Sequence, residues 1–205
     1  MAIIVEHEKR KREILAKALD VFAEEGYEDV TFQKIADRCG ITRTTLYIYF
    51  KNKHEIFLWS IKQLTSGLEK KLIGILNDKE LSSADCLRGI LMAIMDGCEE
   101  NKKLFGVILI YLMQIKKAGV DPEERVRRRV LRIHHLLNVV FIRGMRSGEF
   151  KKLDVGKVND LFYSLIESAI FRLAVLNKNS LDETRSNLEL AISELLVAQP
   201  GASCE

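Results

Sequence analysis

The sequence predicts an all-α protein of about nine helices. Only two prolines occur in the 205 residues, and one of them is Pro200, so long tracts lack the residue that breaks helices. Through nearly all of these tracts apolar residues recur at the 3.6-residue spacing of amphipathic helices, whereas the alternating pattern of strands is scarce. Capping residues and glycines separate the tracts from one another, as helix ends require.

The first three predicted helices are short and clearly bounded. One runs from about residue 8 to residue 25, where Gly26 can end it in a left-handed conformation. Two shorter helices follow over about residues 31–38 and 42–49, and each begins with a threonine suited to N-capping.

Six longer helices are predicted over about residues 52–77, 82–99, 102–117, 121–146, 155–177 and 180–198. Asn52 with Glu55, and Ser180 with Glu183, have the spacing of a capping box. The string Asp-Pro-Glu-Glu at 121–124 combines an N-cap, a proline in the first turn and acidic residues that suit a helix start. A functional boundary near residue 52 divides the chain into residues 1–52 and 53–205.

Composition narrows the class of protein. Hydrophobic residues make up 47% and charged residues 30%, which predicts a folded chain with a sizeable core. The four cysteines, Cys39, Cys86, Cys98 and Cys204, form no C-x-x-C pair, so we expect reduced thiols, no metal site and no cofactor. The longest nearly unbroken apolar stretch, residues 105–113, is far short of the roughly 20 residues of a membrane span. Without a signal peptide, this predicts a cytoplasmic protein with no membrane partner.

A helix-turn-helix is predicted where two short helices are joined by Cys39-Gly40-Ile41, because glycine permits the tight turn between them. The whole chain has a formal charge of only +3, but residues 31–53 hold five basic residues and one acid, a local net charge of +4 (5 − 1). This segment is suited to face phosphate. Its basic residues are Lys34, Arg38, Arg43, Lys51 and Lys53.

The string TFQKIADRCGITRTTLYIYFKNK at residues 31–53 resembles the DNA-binding segment of the tetracycline repressor (TetR) family of bacterial transcriptional regulators. The resemblance covers roughly residues 9 to 60. It implies an N-terminal three-helix DNA-binding module over residues 1–52, followed by a helical effector-binding and dimerisation domain over residues 53–205. It also implies a repressor that binds a palindromic operator on double-stranded DNA as a homodimer and is released by a small-molecule effector.

The resemblance implies a recognition helix over residues 42–49 in the major groove, and the residue types agree. Arg43 can donate two hydrogen bonds to guanine, Gln33 can pair with adenine, and Ile48 can contact a thymine methyl. The expected base contacts are Gln33, Arg43, Thr44, Thr45 and Ile48. The expected phosphate contacts, which fix register, are Thr31, Thr42, Tyr47, Tyr49 and Lys53.

The family architecture also implies a dimer interface on the last two helices and an effector pocket between them and the DNA-binding module. Apolar residues on one side of those helices are the interface candidates: Leu161, Leu165, Ala169, Leu173, Leu188, Ile192 and Leu195. The pocket candidates are apolar residues with a few polar groups, which suit a largely apolar effector: Trp59, Phe105, Tyr111, Gln114, His134, Phe141, Phe162, Tyr163 and Glu167. The same residues also fit an ordinary helical core.

Two other classes of protein fit the sequence less well. An enzyme is disfavoured because the chain has no Gly-x-Ser-x-Gly, no phosphate-binding loop and no His-Glu-x-x-His. A helical adaptor that binds only protein partners would not need the basic segment. The basic run at residues 9–12 is either an arm on the phosphate backbone or a solvated first turn.

Five arginines between positions 125 and 132 lie near the start of a predicted helix, where the helix dipole disfavours positive charge. They either meet an acidic partner or ligand group, or form salt bridges on a solvated face. The adjacent His134 and His135 face about 100° apart on a helix and cannot form a facing pair of metal ligands.

Overall fold

A computed structural model describes residues 2–197 of the chain, except for the side chains at positions 2–4 and 125. These residues form nine α-helices and no strand, with one isolated bridge between Phe150 and Leu196. The prediction of an all-α fold is therefore confirmed. The helices are α1 (Ala2–Glu25), α2 (Phe32–Cys39), α3 (Arg43–Tyr49), α4 (Lys53–Asn77), α5 (Ser83–Glu100), α6 (Lys102–Lys117), α7 (Pro122–Ser147), α8 (Val155–Ala174) and α9 (Asp182–Leu195).

Side-chain caps mark the starts of α2, α3 and α4 at the positions that the sequence predicts. The side chains of Thr31, Thr42 and Asn52 each accept a hydrogen bond from the backbone N–H three residues further on. Gly40 ends α2 at φ 67°, a left-handed conformation that favours glycine. These local interactions define the turn between α2 and α3.

Several helix ends differ from the prediction, among them the end of α9, which lies at Leu195. In the structure α1 begins at Ala2, six residues early, and the His7 ring stacks on Tyr49 at the end of α3, with ring centroids 4.7 Å apart. The helix α8 ends at Ala174, three residues early. The capping box at the start of α9 does not form, because Ser180 accepts the N–H of Asp182 while Glu183 pairs with Arg172.

Two hydrophobic cores lie in the described part of the chain. The first combines α1, α2, α3 and the first half of α4 with Leu104, Val107 and Tyr111 of α6. The second combines α5, α7, α8 and α9 with Leu72 of α4. The first half of α4, which follows the boundary expected at residue 52, thus packs with the N-terminal helices, and α4 contributes buried residues to both cores.

Candidate functional site

The helix α3 packs on α2 with one face and exposes the other. Leu46 is fully buried against Ile35 and Ala36 of α2, whereas Tyr47 and Ile48 are 49% and 70% exposed. Arg43 and Thr44 are exposed as well. A short helix with a polar, aromatic and isoleucine face open to solvent has the dimensions to enter a major groove.

A stack of three side chains orients Arg43 on this face. The Tyr47 ring stacks on the buried Phe32 of α2, with ring centroids 4.5 Å apart. Arg43 donates a hydrogen bond of 3.2 Å to the Tyr47 hydroxyl, and its guanidinium lies 5.6 Å from the centre of the Tyr47 ring. Because Phe32 belongs to the first core, the core itself positions Arg43.

Three of the other predicted DNA contacts, Gln33, Thr42 and Thr45, make hydrogen bonds to neighbouring side chains of the same module. The Gln33 amide donates to Asp37 at 2.7 Å, one turn further along α2. The hydroxyls of Thr42 and Thr45 are 2.8 Å apart, and Thr42 also caps α3. Gln33 must therefore rotate away from Asp37 before it can pair with a base.

Two of the five basic residues in the segment are paired with acids of α1. Lys34 pairs with Glu25 and Arg38 with Glu24, each at 2.5 Å. The hydrogen bond from Arg38 also lowers the pKa of the Glu24 carboxyl. The net charge counted along the sequence therefore overstates the positive charge that this surface offers to phosphate.

Lys53 has a different role from the phosphate contact that the resemblance implies. Its ammonium donates hydrogen bonds to three backbone carbonyls, those of Tyr27, Glu28 and Val30, at 2.8 to 3.1 Å. An ammonium has three hydrogens, so all of its donors are used. Lys53 thus links the loop between α1 and α2 to the start of α4 through these hydrogen bonds.

Trp59, a predicted pocket residue, lies partly exposed on the surface and not in the interior. The buried residues of this part of α4 are Ile56, Phe57, Ser60 and Ile61. Trp59 is 38% exposed, and the ammonium groups of Lys11 and Lys62 lie 4.8 and 4.3 Å from the centre of its ring. The apolar spacing of the sequence shows that Trp59 is apolar. It does not show that the Trp59 ring lies on the surface between Lys11 of α1 and Lys62 of α4.

Three further pocket candidates pack as core residues. Phe141 and Phe162 are fully buried in the second core, with ring centroids 5.4 Å apart. Tyr111 instead belongs to the first core, where its ring lies 5.2 Å from Tyr27 and 5.1 Å from Phe57. The nine candidates are therefore divided between two cores and the surface and do not form one cavity. The aromatic composition that suggested a pocket is also what fills a helical interior.

Three of the candidates do come together, between α7 and α8. The rings of His134 and Tyr163 have centroids 4.5 Å apart. Burial, together with the neighbouring Glu167 carboxylate, raises the pKa of Tyr163 to about 12. Phe105 packs half-buried against the second core.

An apolar groove that the sequence did not predict lies between α6 and the end of α8. It has a volume of about 570 Å³. Gln114 is the one pocket candidate among the residues that line it, which are Gly106, Leu109, Ile110, Met113, Gln114, Lys117, Ala174 and Val175. Ile110 and Met113 are 59% and 58% exposed, and a second apolar stripe on α6 was the signal that could have marked them.

Most of the predicted dimer-interface residues face the wrong way. Five of them are buried in the second core of the same chain and cannot contact a partner: Ala169, Leu173, Leu188, Ile192 and Leu195. Leu165 is half-buried against that core, and Leu161 alone is well exposed, at 53%. The predicted interface residues lie on the richer apolar stripe of each helix, and that stripe packs in the chain's own core.

A second apolar stripe faces outward on the same hairpin. On α8 and at its C-cap, Leu161, Phe171 and Val175 lie on one face, with Ser164 and Ser168 between them. The exposed apolar residues of this region are Leu161, Phe171, Val175, Leu176, Leu190 and Val197. None of the nine described helices is long and apolar enough to cross a membrane.

Comparisons with known proteins agree with the fold and the module. Residues 14–58 match the model of the bacterial regulatory proteins, tetR family. The fatty acid metabolism regulator protein of Bacillus subtilis (strain 168) is 23% identical over 195 residues, which cover 93% of this chain and 97% of that protein. A TetR transcription regulator from Haloarcula marismortui shares the fold with a TM-score of 0.80 and 20% identity, over 93% of this chain and all of that one. FadR from Bacillus subtilis, solved in complex with stearoyl-CoA, has a TM-score of 0.70 at 22% identity, over 89% and 98% of the two chains.

The helix-turn-helix and the helical domain behind it define a DNA-binding regulator. Residues 14–58 match the DNA-binding module of the TetR family of transcriptional regulators, and the whole chain has the fold of a TetR transcription regulator. It is therefore a DNA-binding transcriptional regulator.

Proposed function

We propose that the protein is a homodimeric repressor that binds a palindromic operator through α3 and is released by an effector with a long apolar chain. The observation that carries the DNA-binding part is the exposed face of α3, on which Phe32 and Tyr47 orient Arg43. A single helix-turn-helix reads few base pairs, so two copies on an inverted repeat supply the specificity.

On this face we assign base contacts to Arg43, Thr44 and Ile48. Arg43 presents its guanidinium fork to guanine, and Ile48 presents an apolar surface to a thymine methyl. Thr45 and Gln33 remain candidates that must first give up their present hydrogen bonds. Phosphate contacts are assigned to Thr31, Thr42, Tyr47, Tyr49 and the exposed Lys51, and Lys53 is reassigned to holding the loop 27–30.

The dimer interface is assigned to the outward stripe of α8 and α9. Phe171 and Val175 are 51% and 54% exposed in the monomer, and exposed apolar side chains on one face mark a contact surface. Paired with a copy of itself, this hairpin forms a four-helix bundle. The groove between α6 and α8 lies beside it, since Val175 belongs to both.

The assignment of an acyl-type effector rests on similarity and on apolar surface. The fatty acid metabolism regulator is similar over nearly its whole length, and FadR of similar fold was solved with stearoyl-CoA. The helices of residues 53–205 offer an apolar groove and an apolar core. An effector must bind the DNA-incompetent form more tightly, since equal affinity for both forms shifts nothing.

Selection of binding sites from a random duplex library tests the DNA-binding part, and we expect an enriched inverted repeat. An enriched site without internal symmetry would contradict a dimer on a palindrome. The effector part is tested on that duplex with thioesters from acetyl-CoA to stearoyl-CoA, and release should increase with chain length. Release that is equal for all chain lengths, or absent for all, would contradict an apolar effector.

A further inference from the structure

We propose that Arg129 and Arg132 of α7, with Thr65 of α4, form a binding site for a phosphate group where these two helices meet. The site belongs to the arginine cluster that the sequence marks at positions 125–132. The side chain of Arg125 lies outside the described residues, so the site is built from the others.

Arg129 is a half-buried cation with no anionic partner among the residues that the structure describes. Its one hydrogen bond among the described residues runs from Nε to the Thr65 hydroxyl and is long, at 3.4 Å. That hydroxyl already donates to the carbonyl of Ile61 at 2.9 Å. No carboxylate in the described part of the chain lies within ion-pair distance of Arg129, although a guanidinium carries five donors. Burial and the nearby Arg132 both lower the pKa of Arg129, as expected for an uncompensated charge.

The surroundings of Arg129 are strongly positive. Residues 116–132 hold seven basic and three acidic residues, a net charge of +4 (7 − 3). The acids Asp121, Glu123 and Glu124 all lie at the start of α7, where they suit the helix dipole. An anion that reaches Arg129 therefore approaches a segment of the chain that carries excess positive charge.

Arg132 supplies the second guanidinium, one turn after Arg129 on the same face of α7. It pairs with Glu69 of α4 at 2.5 Å. Glu69 thus pairs with Arg132 and leaves Arg129 without a carboxylate partner among the described residues. A phosphate has two charges and three free oxygens, so it can accept paired hydrogen bonds from both guanidinium groups.

Phosphate at this site would compete with Glu69 for Arg132. The contact that changes lies in the middle of α4, between its first half in the core of the DNA-binding module and Leu72 in the second core. The site therefore couples an anion to the helix that joins the two cores. A free phosphate and the phosphate of a larger effector share this chemistry, and in the second case the site extends the proposed function.

The test is isothermal titration calorimetry of the full-length protein without DNA, with pyrophosphate and with coenzyme A as separate probes. We expect R129Q/R132Q to weaken binding about tenfold or more, since two charge-assisted contacts are lost. The matched control is R127Q/R128Q, which removes the same charge from exposed positions on α7 and should leave affinity nearly unchanged. Tighter binding of coenzyme A than of pyrophosphate indicates a larger ligand, and the reverse indicates a free phosphate.

A gain-of-affinity variant keeps the proposal testable if R129Q/R132Q fails to fold. E69Q removes the competing carboxylate and should tighten the binding of both probes severalfold. Equal losses in R129Q/R132Q and its control, unchanged affinity in E69Q, or no binding of either probe to the wild type would overturn the proposal. Site selection on random DNA is a separate measurement, so a failure here is distinguishable from a failure of the proposed repressor.

Discussion

The recognition face of α3 and the outer face of the α8–α9 hairpin both expose apolar side chains, but they do so for different physical reasons. On α3 the exposed Tyr47 is held by a buried neighbour, Phe32, so the surface is organised before any ligand arrives. On the hairpin, Phe171 and Val175 are more than half exposed on a face that also carries small serines. The side chains of the first surface are therefore held by contacts within one chain. Those of the second surface can be buried only by contacts with another molecule.

The largest expected effect comes from breaking the hairpin surface. The double substitution Phe171→Glu and Val175→Glu should give folded monomers, because it places four carboxylates in the proposed interface without touching the core. Operator affinity should fall about 100-fold or more, since two half-sites can no longer be engaged together. Light scattering measures the mass, and fluorescence anisotropy with the selected duplex measures affinity.

Leu131→Glu is the matched control for this prediction, because Leu131 is equally exposed, at 56%, but lies on α7. It should leave the protein dimeric. A dimer that persists in the double variant would place the interface elsewhere. A charged substitution at Ile192, one of the interface residues predicted from the sequence, should unfold the chain instead, since this side chain is fully buried.

The next effect concerns specificity at the recognition face. Arg43→Ala should cost about 1–3 kcal/mol of binding free energy and relax one base position of the operator. Tyr47→Phe keeps the stacked ring but removes the hydroxyl that accepts from Arg43, so it should cost less at the same position. Competition between the selected duplex and single-base variants measures both effects. Equal weakening on specific and random DNA would show that Arg43 contacts only phosphate.

Sequence patterns predicted the module better than the hairpin, and the reason is the range of the interactions. Thr31, Thr42 and Asn52 act on backbone groups three residues away, so the local sequence contains the whole interaction. Phe171 and Leu173 are both apolar and lie on the same helix, and only tertiary packing decides which one faces the core. The role of Lys53 was equally hidden, because its partners are carbonyls 23 to 26 residues earlier.

Lys53 and Lys51 offer a sharper test of what holds the module together. Lys53→Ala should lower the free energy of unfolding by about 1–3 kcal/mol, because part-buried carbonyls of the loop 27–30 lose their donor. Lys51→Ala should leave stability unchanged and reduce the slope of log affinity against log salt by about one unit. Chemical denaturation and a salt titration separate the two effects. If Lys53→Ala instead left stability unchanged and reduced the salt dependence, Lys53 would be a phosphate contact.

The smallest effect concerns Glu149, which joins a loop to a helix start as Lys53 does. Where Lys53 donates to carbonyls of the loop between α1 and α2, the Glu149 carboxylate accepts the N–H groups of Ser83 and Ala84 at the start of α5, at 2.7 and 3.2 Å, and also the Ser83 hydroxyl. Burial raises the pKa of Glu149, but the hydrogen bonds from Ser83, Ser147 and Ala84 outweigh it and leave the pKa below its ordinary value of 4.5.

A carboxyl whose pKa is lowered by folding stabilises the protein above its unfolded pKa, and this stabilisation is lost as the pH falls through the folded value. Glu149→Gln keeps the shape but removes the charge, so it should destabilise the protein at neutral pH. The difference in unfolding free energy between variant and wild type should shrink as the pH falls below about 4.5. Urea denaturation at a series of pH values measures it. A difference that is constant from neutral to acidic pH would mean that the shape of the side chain, rather than its charge at the start of α5, is what matters.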